Sequence, residues 1–75
     1  MARVDVNWLR TRREEVTRSL DRHGAVSIPC LARDQAEQLR GYIKVNGPDC
    51  HMIVLGRGER DHRTEDKRYE FSAHI

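Results

Sequence analysis

Apolar residues recur three or four positions apart in two stretches of this chain and two positions apart in others, and these periods limit the folds it can adopt. In the first stretch Leu9, Val16 and Leu20 are spaced by seven and four residues, which aligns them along one face of a helix. Asn7 is expected to cap the beginning of this helix, and Gly24 to end it in a left-handed conformation. The pattern predicts an amphipathic first helix.

A second helical stripe follows within "LARDQAEQLRGYIKVNGP", residues 31–48. Ala32, Ala36, Leu39 and Ile43 lie at positions i, i+4, i+7 and i+11 of this stretch. The Asn, Gly and Pro that close the stretch are typical of a helix end. The sequence therefore predicts a second amphipathic helix.

Three shorter stretches have the character of strands. "GAVSIP", residues 24–29, alternates and is expected to end at Pro29, while "RYEFSAHI", residues 68–75, alternates as a strand with one buried face. Between them "CHMIVLG", residues 50–56, contains the apolar run of residues 52–55 and is bounded by Gly, which favours a strand covered on both faces.

The predicted order is α-β-α-β-β, an α+β fold in a single domain, residues 1–75, with a three-stranded sheet and two helices on one face. The last two strands should pair antiparallel across a charged loop, residues 57–67, that is too polar to be buried. A winged helix is the alternative architecture. It needs two helices between the first and second strands, where the sequence provides one.

A chain of 75 residues buries a thin core, so a disulfide, a metal, a partner or self-association is expected to add stability. Two helices on one sheet face leave the other face bare. Either Met52 and Val54 or Ile53 and Leu55 would point outward there. A second subunit or another protein would then cover this patch, so a homodimer is one expectation.

Residues 1–10 contain no apolar segment of the kind found in signal peptides, and the longest apolar run is residues 52–55. The expectation is a cytoplasmic protein that does not contact membranes.

Metal binding would use thiolates and imidazoles, but their spacing is poor. Cys30, Cys50, His51, His23 and His62 do not form the close pairs that structural zinc sites use, and Cys50 and His51 would point to opposite faces of a strand. No metal or other cofactor is predicted. A disulfide between Cys30 and Cys50 is left open, although a cytosolic setting would keep it reduced.

Catalysis would have to come from the charged loop and the last strand. A metal-independent ribonuclease could use these residues for proton transfer and phosphate stabilisation: His62, Arg63, Lys67, Arg68 and Tyr69. The acidic residues interspersed in the same loop would oppose phosphate binding, and no nucleophile triad or phosphate loop is present. The ribonuclease is therefore the weakest alternative, and an enzyme is not predicted.

Nucleic-acid binding is suggested by twelve arginines against two lysines. The first helix holds the arginines that would contact phosphate: Arg10, Arg12, Arg13, Arg18 and Arg22. Residues 1–23 carry six basic but also four acidic groups, whereas a phosphate-binding surface is normally of one sign. Nucleic-acid binding is therefore the alternative hypothesis.

The leading hypothesis is a small non-enzymatic regulator or inhibitor that binds a protein partner, of the kind encoded by phages and other mobile elements. The predicted contact residues are of types that dominate interface energetics or lie on the bare sheet face: Trp8, Arg12, Arg13, Met52 and Val54. Trp8 lies about 100° from the apolar stripe of the first helix. It either completes the core at the sheet edge or contacts the partner.

Overall fold

The computed structural model describes residues 4–57 and 68–75, where two helices and a three-stranded sheet form an α+β domain. The order of elements is the predicted α-β-α-β-β. The helices are α1 (Val6–His23) and α2 (Arg33–Asn46), and the strands are β1 (Ala25–Leu31), β2 (His51–Arg57) and β3 (Arg68–His74). A single helix, α2, connects β1 to β2, so the winged-helix alternative is wrong.

The last strand lies in the middle of the sheet. The strand order is β1-β3-β2, and β3 pairs antiparallel with both neighbours. The predicted antiparallel pairing of the last two strands is confirmed. Because β1 and β2 both run opposite to β3, they run parallel to each other and each forms one edge of the described sheet.

The core lies between the helices and one face of the sheet. Val16 and Leu20 of α1 are buried, as the predicted stripe requires, and Phe71 is fully buried in the central strand. The remaining buried residues come from α2 and from the sheet: Leu31, Ala36, Leu39, Ile43 and Ala73. Burial thus confirms the predicted periods in α1, in α2 and in β3 as far as Ala73, whereas Ile75 lies beyond β3 and is exposed.

The first helix begins two residues earlier than the Asn7 cap predicts. The side chain of Asp5 accepts a hydrogen bond of 2.8 Å from the backbone N–H of Trp8, so Asp5 is the N-cap and Asn7 lies within the helix. Asp and Asn are equally good caps. Gly24 ends the helix with φ of 74°, a left-handed conformation that glycine adopts without steric cost, as predicted.

Strand β1 continues past Pro29, where the sequence predicts its end. Ile28 pairs with Phe71 and Leu31 with Tyr69, so Pro29 and Cys30 form a bulge. A proline lacks the N–H that a ladder needs, but edge strands and bulges tolerate it. The edge position of β1 therefore explains why the expected termination is wrong, and the bulge turns the side chain of Leu31 into the core.

Strand β2 is covered on one face, not on both as the apolar run predicts. Met52 and Val54 are half-buried and pack against the core, whereas Ile53 and Leu55 are 49% and 43% exposed. The placement of Met52 and Val54 on a partner-binding face is therefore wrong. Alternation along the strand requires the outward pair to be Ile53 and Leu55.

The open face, as we call the side of the sheet opposite the helices, carries one residue from each strand in its first two rows and one residue from β2 and one from β3 in the third row. Its members are Ala25, Ser27, His51, Ile53, Leu55, Glu70, Ser72 and His74. Within residues 4–57 and 68–75, neither helix has the length and apolar composition needed to cross a membrane.

Candidate protein-binding surfaces

Three side chains on one flank of α1 form what we call the Trp8–Arg12 surface: Trp8, Arg12 and Glu15. They are spaced by four and three residues, so successive turns of the helix stack them. The Cζ of Arg12 lies 5.7 Å from the ring centre of Trp8, within the range of a cation–π contact. Arg12 Nη2 donates to Glu15 Oε1 over 2.8 Å. The guanidinium is thus held between an aromatic face and a carboxylate.

Trp8 contacts the core and is also partly exposed at the surface, so it combines the two environments that its position on the helix allows. It is half-buried and packs against the core, yet it keeps an exposed part beside Arg12. The side chain of Arg12 is 27% exposed, and its Nε is enclosed with no acceptor in the described part of the chain. Trp8 is therefore anchored at the core while one side of the pair faces outward.

Arg13 does not join this surface. One residue along a helix is a rotation of about 100°, and this rotation turns Arg13 toward α2, where its Cζ lies 5.8 Å from the ring centre of Tyr42. The three α1 residues predicted to bind a partner thus divide between two flanks of the helix. Tyr42 itself is half-buried.

A cleft of about 850 Å³ lies on the α2 side of α1. Arg13 and Arg18 line it together with Glu14 and Asp21, and its far wall is residues 46–48 with Ile75. Two cations and two anions in one cleft give no net preference for a charged ligand.

The arginines predicted to contact nucleic acid fall into two groups. Arg10, Arg18 and Arg22 are exposed and form no ion pair with any residue in the described ranges, whereas Arg12 binds Glu15 and Arg13 stacks on Tyr42. Glu14 and Asp21 lie on the same outer side of α1, because the helix rotation places both of them within about 60° of Arg10 and Arg18. The surface is therefore of mixed sign.

Of the residues considered for catalysis, Arg68 and Tyr69 lie in the described part of the chain. His62, Arg63 and Lys67 lie outside the described residues. Arg68 is exposed at the start of β3, and Tyr69 is on the helix side of the sheet, where it packs against the core. The environment of Tyr69 is therefore that of a residue at the edge of the hydrophobic core.

The two cysteines considered for zinc are separated by the strand order. Cys30 lies near the end of β1 and Cys50 just before β2, and these parallel strands flank β3, so the two thiols occupy opposite corners of the sheet. Strand spacing and strand length put them well beyond the Cα separation of about 7 Å that a disulfide tolerates. Both cysteines are free. Burial raises the pKa of the Cys50 thiol, and the charge of Asp49 adds to this effect.

His51 has a neighbour that sequence reasoning missed. It pairs directly with His74 across β2 and β3, and the two rings stack with centres 5.1 Å apart. Both side chains are exposed on the open face. The two histidines are 23 positions apart, so only the strand register brings them together. Among residues 4–57 and 68–75, no group of three or more His, Cys, Asp or Glu side chains is arranged to hold a metal.

The open face is divided along its length. The β2 side carries Ile53 and Leu55, while the β3 side carries Ser72 and Glu70, whose side chains are hydrogen-bonded over 3.2 Å. The His51–His74 pair lies at one end of the open face.

No protein-family model, curated protein or solved structure matches the chain.

Proposed function

We propose that this chain is a small non-enzymatic regulator or inhibitor that acts by binding a protein partner through the Trp8–Arg12 surface. The observation that carries the proposal is the guanidinium of Arg12, held against the indole of Trp8 and fixed by Glu15 on an exposed flank of α1. Trp and Arg are the residues most often responsible for binding energy at protein interfaces.

The arrangement is ordered before any partner binds. Trp8 is anchored by its contact with the core, and Arg12 is restrained by two neighbours. Freezing long side chains on association costs roughly 0.5–1.5 kcal/mol each, so a surface that is already ordered loses less on binding.

The chemistry of the surface specifies what the partner must offer. The exposed part of Trp8 requires an apolar recess, and the outward N–H groups of Arg12 require acceptor oxygens beside it. A carboxylate answers the second requirement best, because it accepts two hydrogen bonds from one guanidinium. The partner is therefore a protein surface with an acidic group at the rim of an apolar recess.

The test is affinity capture with immobilised wild-type chain and three variants. Trp8→Ala and Arg12→Ala should each reduce the amount of captured partner, by at least fivefold at subsaturating concentration, because truncated hot spots cost more than about 1 kcal/mol. Arg18→Ala is the matched control: it removes an exposed arginine from the same helix on a different flank. Capture by this control should equal that of the wild type.

Folding must be separated from binding, since Trp8 also contacts the core. A fourth variant, Trp8→Phe, removes the indole but keeps an aromatic ring at the position that packs against the core. Circular dichroism should give the same helix content for every variant used. Equal capture by the wild type, Trp8→Ala and Arg12→Ala, all folded, would reject the proposed surface.

Nucleic-acid binding is the second candidate, and the exposed, unpaired state of Arg10, Arg18 and Arg22 in the described part of the chain favours it. Binding of duplex DNA through these three groups should weaken with rising salt, with a log–log slope of about −0.9 for each neutralised phosphate. An absence of gel retardation of DNA and RNA at low salt would reject this alternative.

A further inference from the structure

The backbone of β2 has unpaired hydrogen-bonding groups along its outer edge, and one hydrogen bond identifies them. The N–H of Ile75 donates to the C=O of Gly24 over 3.0 Å. Bonded and non-bonded pairs alternate along antiparallel strands, so odd-numbered residues of β3 bond β1 and even-numbered ones bond β2. The even-numbered residues of β3 pair with odd-numbered residues of β2. The N–H and C=O groups of Met52, Val54 and Gly56 therefore point out of the sheet.

The opposite edge of the sheet, in β1, is closed to an added strand. By the same alternation its outward groups belong to Ala25, Ser27 and Pro29. Proline has no N–H to donate, and the bulge at Pro29 and Cys30 interrupts the register. Such devices keep natural sheets from pairing at their edges. Strand β2 contains no proline and pairs without a bulge along its whole length, so it is the edge that can accept another strand.

Apolar side chains flank the β2 edge on both faces of the sheet. Ile53 and Leu55 are 49% and 43% exposed on the open face, and Met52 and Val54 are half-buried on the helix side. No charged residue interrupts these positions. A strand laid along β2 would contact the exposed parts of these side chains, since directly opposite residues of paired strands are neighbours.

The flank of α2 above the β2 edge is basic. Helix α1 lies over β1 and α2 over β3 and β2, and Tyr42 is on the flank of α2 that faces α1. Arg40 and Lys44 are each two positions from Tyr42, a rotation of about 200°, so they lie on the opposite flank. Both are exposed and form no ion pair with a residue in the described ranges. On the same flank Arg33 is already paired with Glu37.

We propose that the β2 edge binds an extended segment of a partner protein as a fourth strand, in which acidic residues alternate with apolar ones. Side chains of a strand alternate between the two faces of a sheet. The apolar residues of the segment lie beside Ile53 and Leu55 on the open face, and its carboxylates lie on the helix side below Arg40 and Lys44.

The charges select this occupant over a second copy of the chain. Pairing of two β2 edges about a two-fold axis would continue the sheet and place both α2 helices on the same side of it. The Arg40 and Lys44 side chains of the two copies would then face one another above the shared edge. Like charges brought together in this way oppose association, whereas an acidic segment is attracted.

The probe for this edge is a short synthetic peptide with blocked ends in which Glu and Val alternate, and its binding is measured by titration calorimetry. The wild-type chain should bind it. Two control peptides should not bind: one with the same residues grouped into a Glu block and a Val block, and one with Lys in place of Glu. Only alternate N–H groups of an added strand face its neighbour. N-methylation of one alternate set should therefore abolish binding, and N-methylation of the other set should leave it unchanged.

Variants of the chain test the basic flank. The double variant Arg40→Glu, Lys44→Glu should weaken binding of the alternating peptide by about fivefold or more, because two exposed ion pairs become repulsive. The double variant Arg10→Glu, Arg18→Glu is the matched control, with the same change in net charge on exposed residues of α1. This control should bind the peptide as the wild type does.

Amide hydrogen exchange locates the peptide on the sheet. Bound peptide should slow exchange of the outward N–H groups of Val54 and Gly56 and leave those of Ala25 and Ser27 unchanged. The proposal is overturned if the wild type does not bind the alternating peptide, if both N-methylated forms bind equally, or if protection appears in β1. Protection of Val54 that grows with chain concentration in the absence of peptide would also overturn it, since a second copy would then occupy the edge. This edge is separate from the Trp8–Arg12 surface, so either proposal can fail without the other.

Discussion

Arg12 stacks on the ring of Trp8, which lies one helical turn earlier, with 5.7 Å between Cζ and the ring centre. The spacing of four residues makes this contact possible, because side chains at i and i+4 lie one above the other on a helix. The neighbouring Arg13 instead reaches Tyr42 of α2. Two consecutive arginines therefore have different neighbours.

The stacking of Arg12 on Trp8 should be measurable as a coupling energy. In a double-mutant cycle of Trp8→Ala and Arg12→Ala, the free energy of unfolding should show a favourable interaction of about 0.5–1 kcal/mol. The same cycle with Trp8→Ala and Arg18→Ala should give no coupling, since Arg18 is on another flank. Equal coupling energies in both cycles would show that the contact between Arg12 and Trp8 makes no specific contribution to the free energy of unfolding.

Gly41 lies in the middle of α2, exposed, and a Cβ placed on it meets no atom within 4 Å. Gly41→Ala should therefore raise the free energy of unfolding by about 0.5–1 kcal/mol, because alanine loses less backbone entropy in a helix. A rise in Tm of several degrees is expected for a domain of this size.

Gly24→Ala is the control for this substitution. The space around Gly24 is equally open, but its φ of 74° is unfavourable for alanine, so this variant should lose stability. A loss of stability in Gly41→Ala would contradict the exposed, regular helix described for this position.

Replacement by threonine should lower stability more on the helix side of β2 than on its open face. Val54→Thr replaces a methyl with a hydroxyl on the helix side, where the residue packs against the core, and should cost about 1 kcal/mol or more. Ile53→Thr, one residue earlier on the open face, should change stability by less than about 0.5 kcal/mol. Urea denaturation of the dilute chain measures both changes in stability without contributions from association. The reverse ranking would exchange the two faces.

Cys50 should ionise at a higher pH in the folded chain than in the unfolded chain. Burial is the main cause of its raised pKa, and the negative charge of Asp49 is the second; the ordinary value is 9.0. A raised pKa means that the folded state holds the thiol proton more tightly. This contribution to stability is complete below the unfolded-state pKa and is lost as the pH rises through the folded-state pKa.

The measurement for Cys50 is the pH dependence of alkylation by iodoacetamide in a Cys30→Ser background, because the thiolate is the reacting form. The midpoint in the folded chain should lie above that of the same chain in urea. Coincident midpoints would show that Cys50 is not desolvated by the fold.

Much of the fold follows from apolar spacing. Val16 and Leu20 in α1, Leu39 and Ile43 in α2, and the alternation around Phe71 each identify an element and its buried side. These signals are local, since a residue and its neighbours three or four positions away decide them. The order of elements and the single covered face could be predicted for this reason.

The features that sequence reasoning missed depend on contacts between strands. No pattern within β1 itself shows that it is an edge strand, so the continuation of this strand past Pro29 could not be predicted. Four consecutive apolar residues in β2 do not tell which of Val54 and Ile53 faces the core. The His51–His74 pair depends on the register of β2 with β3, which no spacing within either strand encodes.

The central claim is that a protein partner covers the exposed part of Trp8, and this residue is the one tryptophan in the chain. Its fluorescence therefore reports directly on the proposed surface. The most direct measurement is acrylamide quenching of Trp8 emission before and after saturation with a captured partner that lacks tryptophan. We expect quenching to fall severalfold and the emission to shift to shorter wavelength on binding. A partner that binds while quenching and emission stay unchanged would contradict the claim.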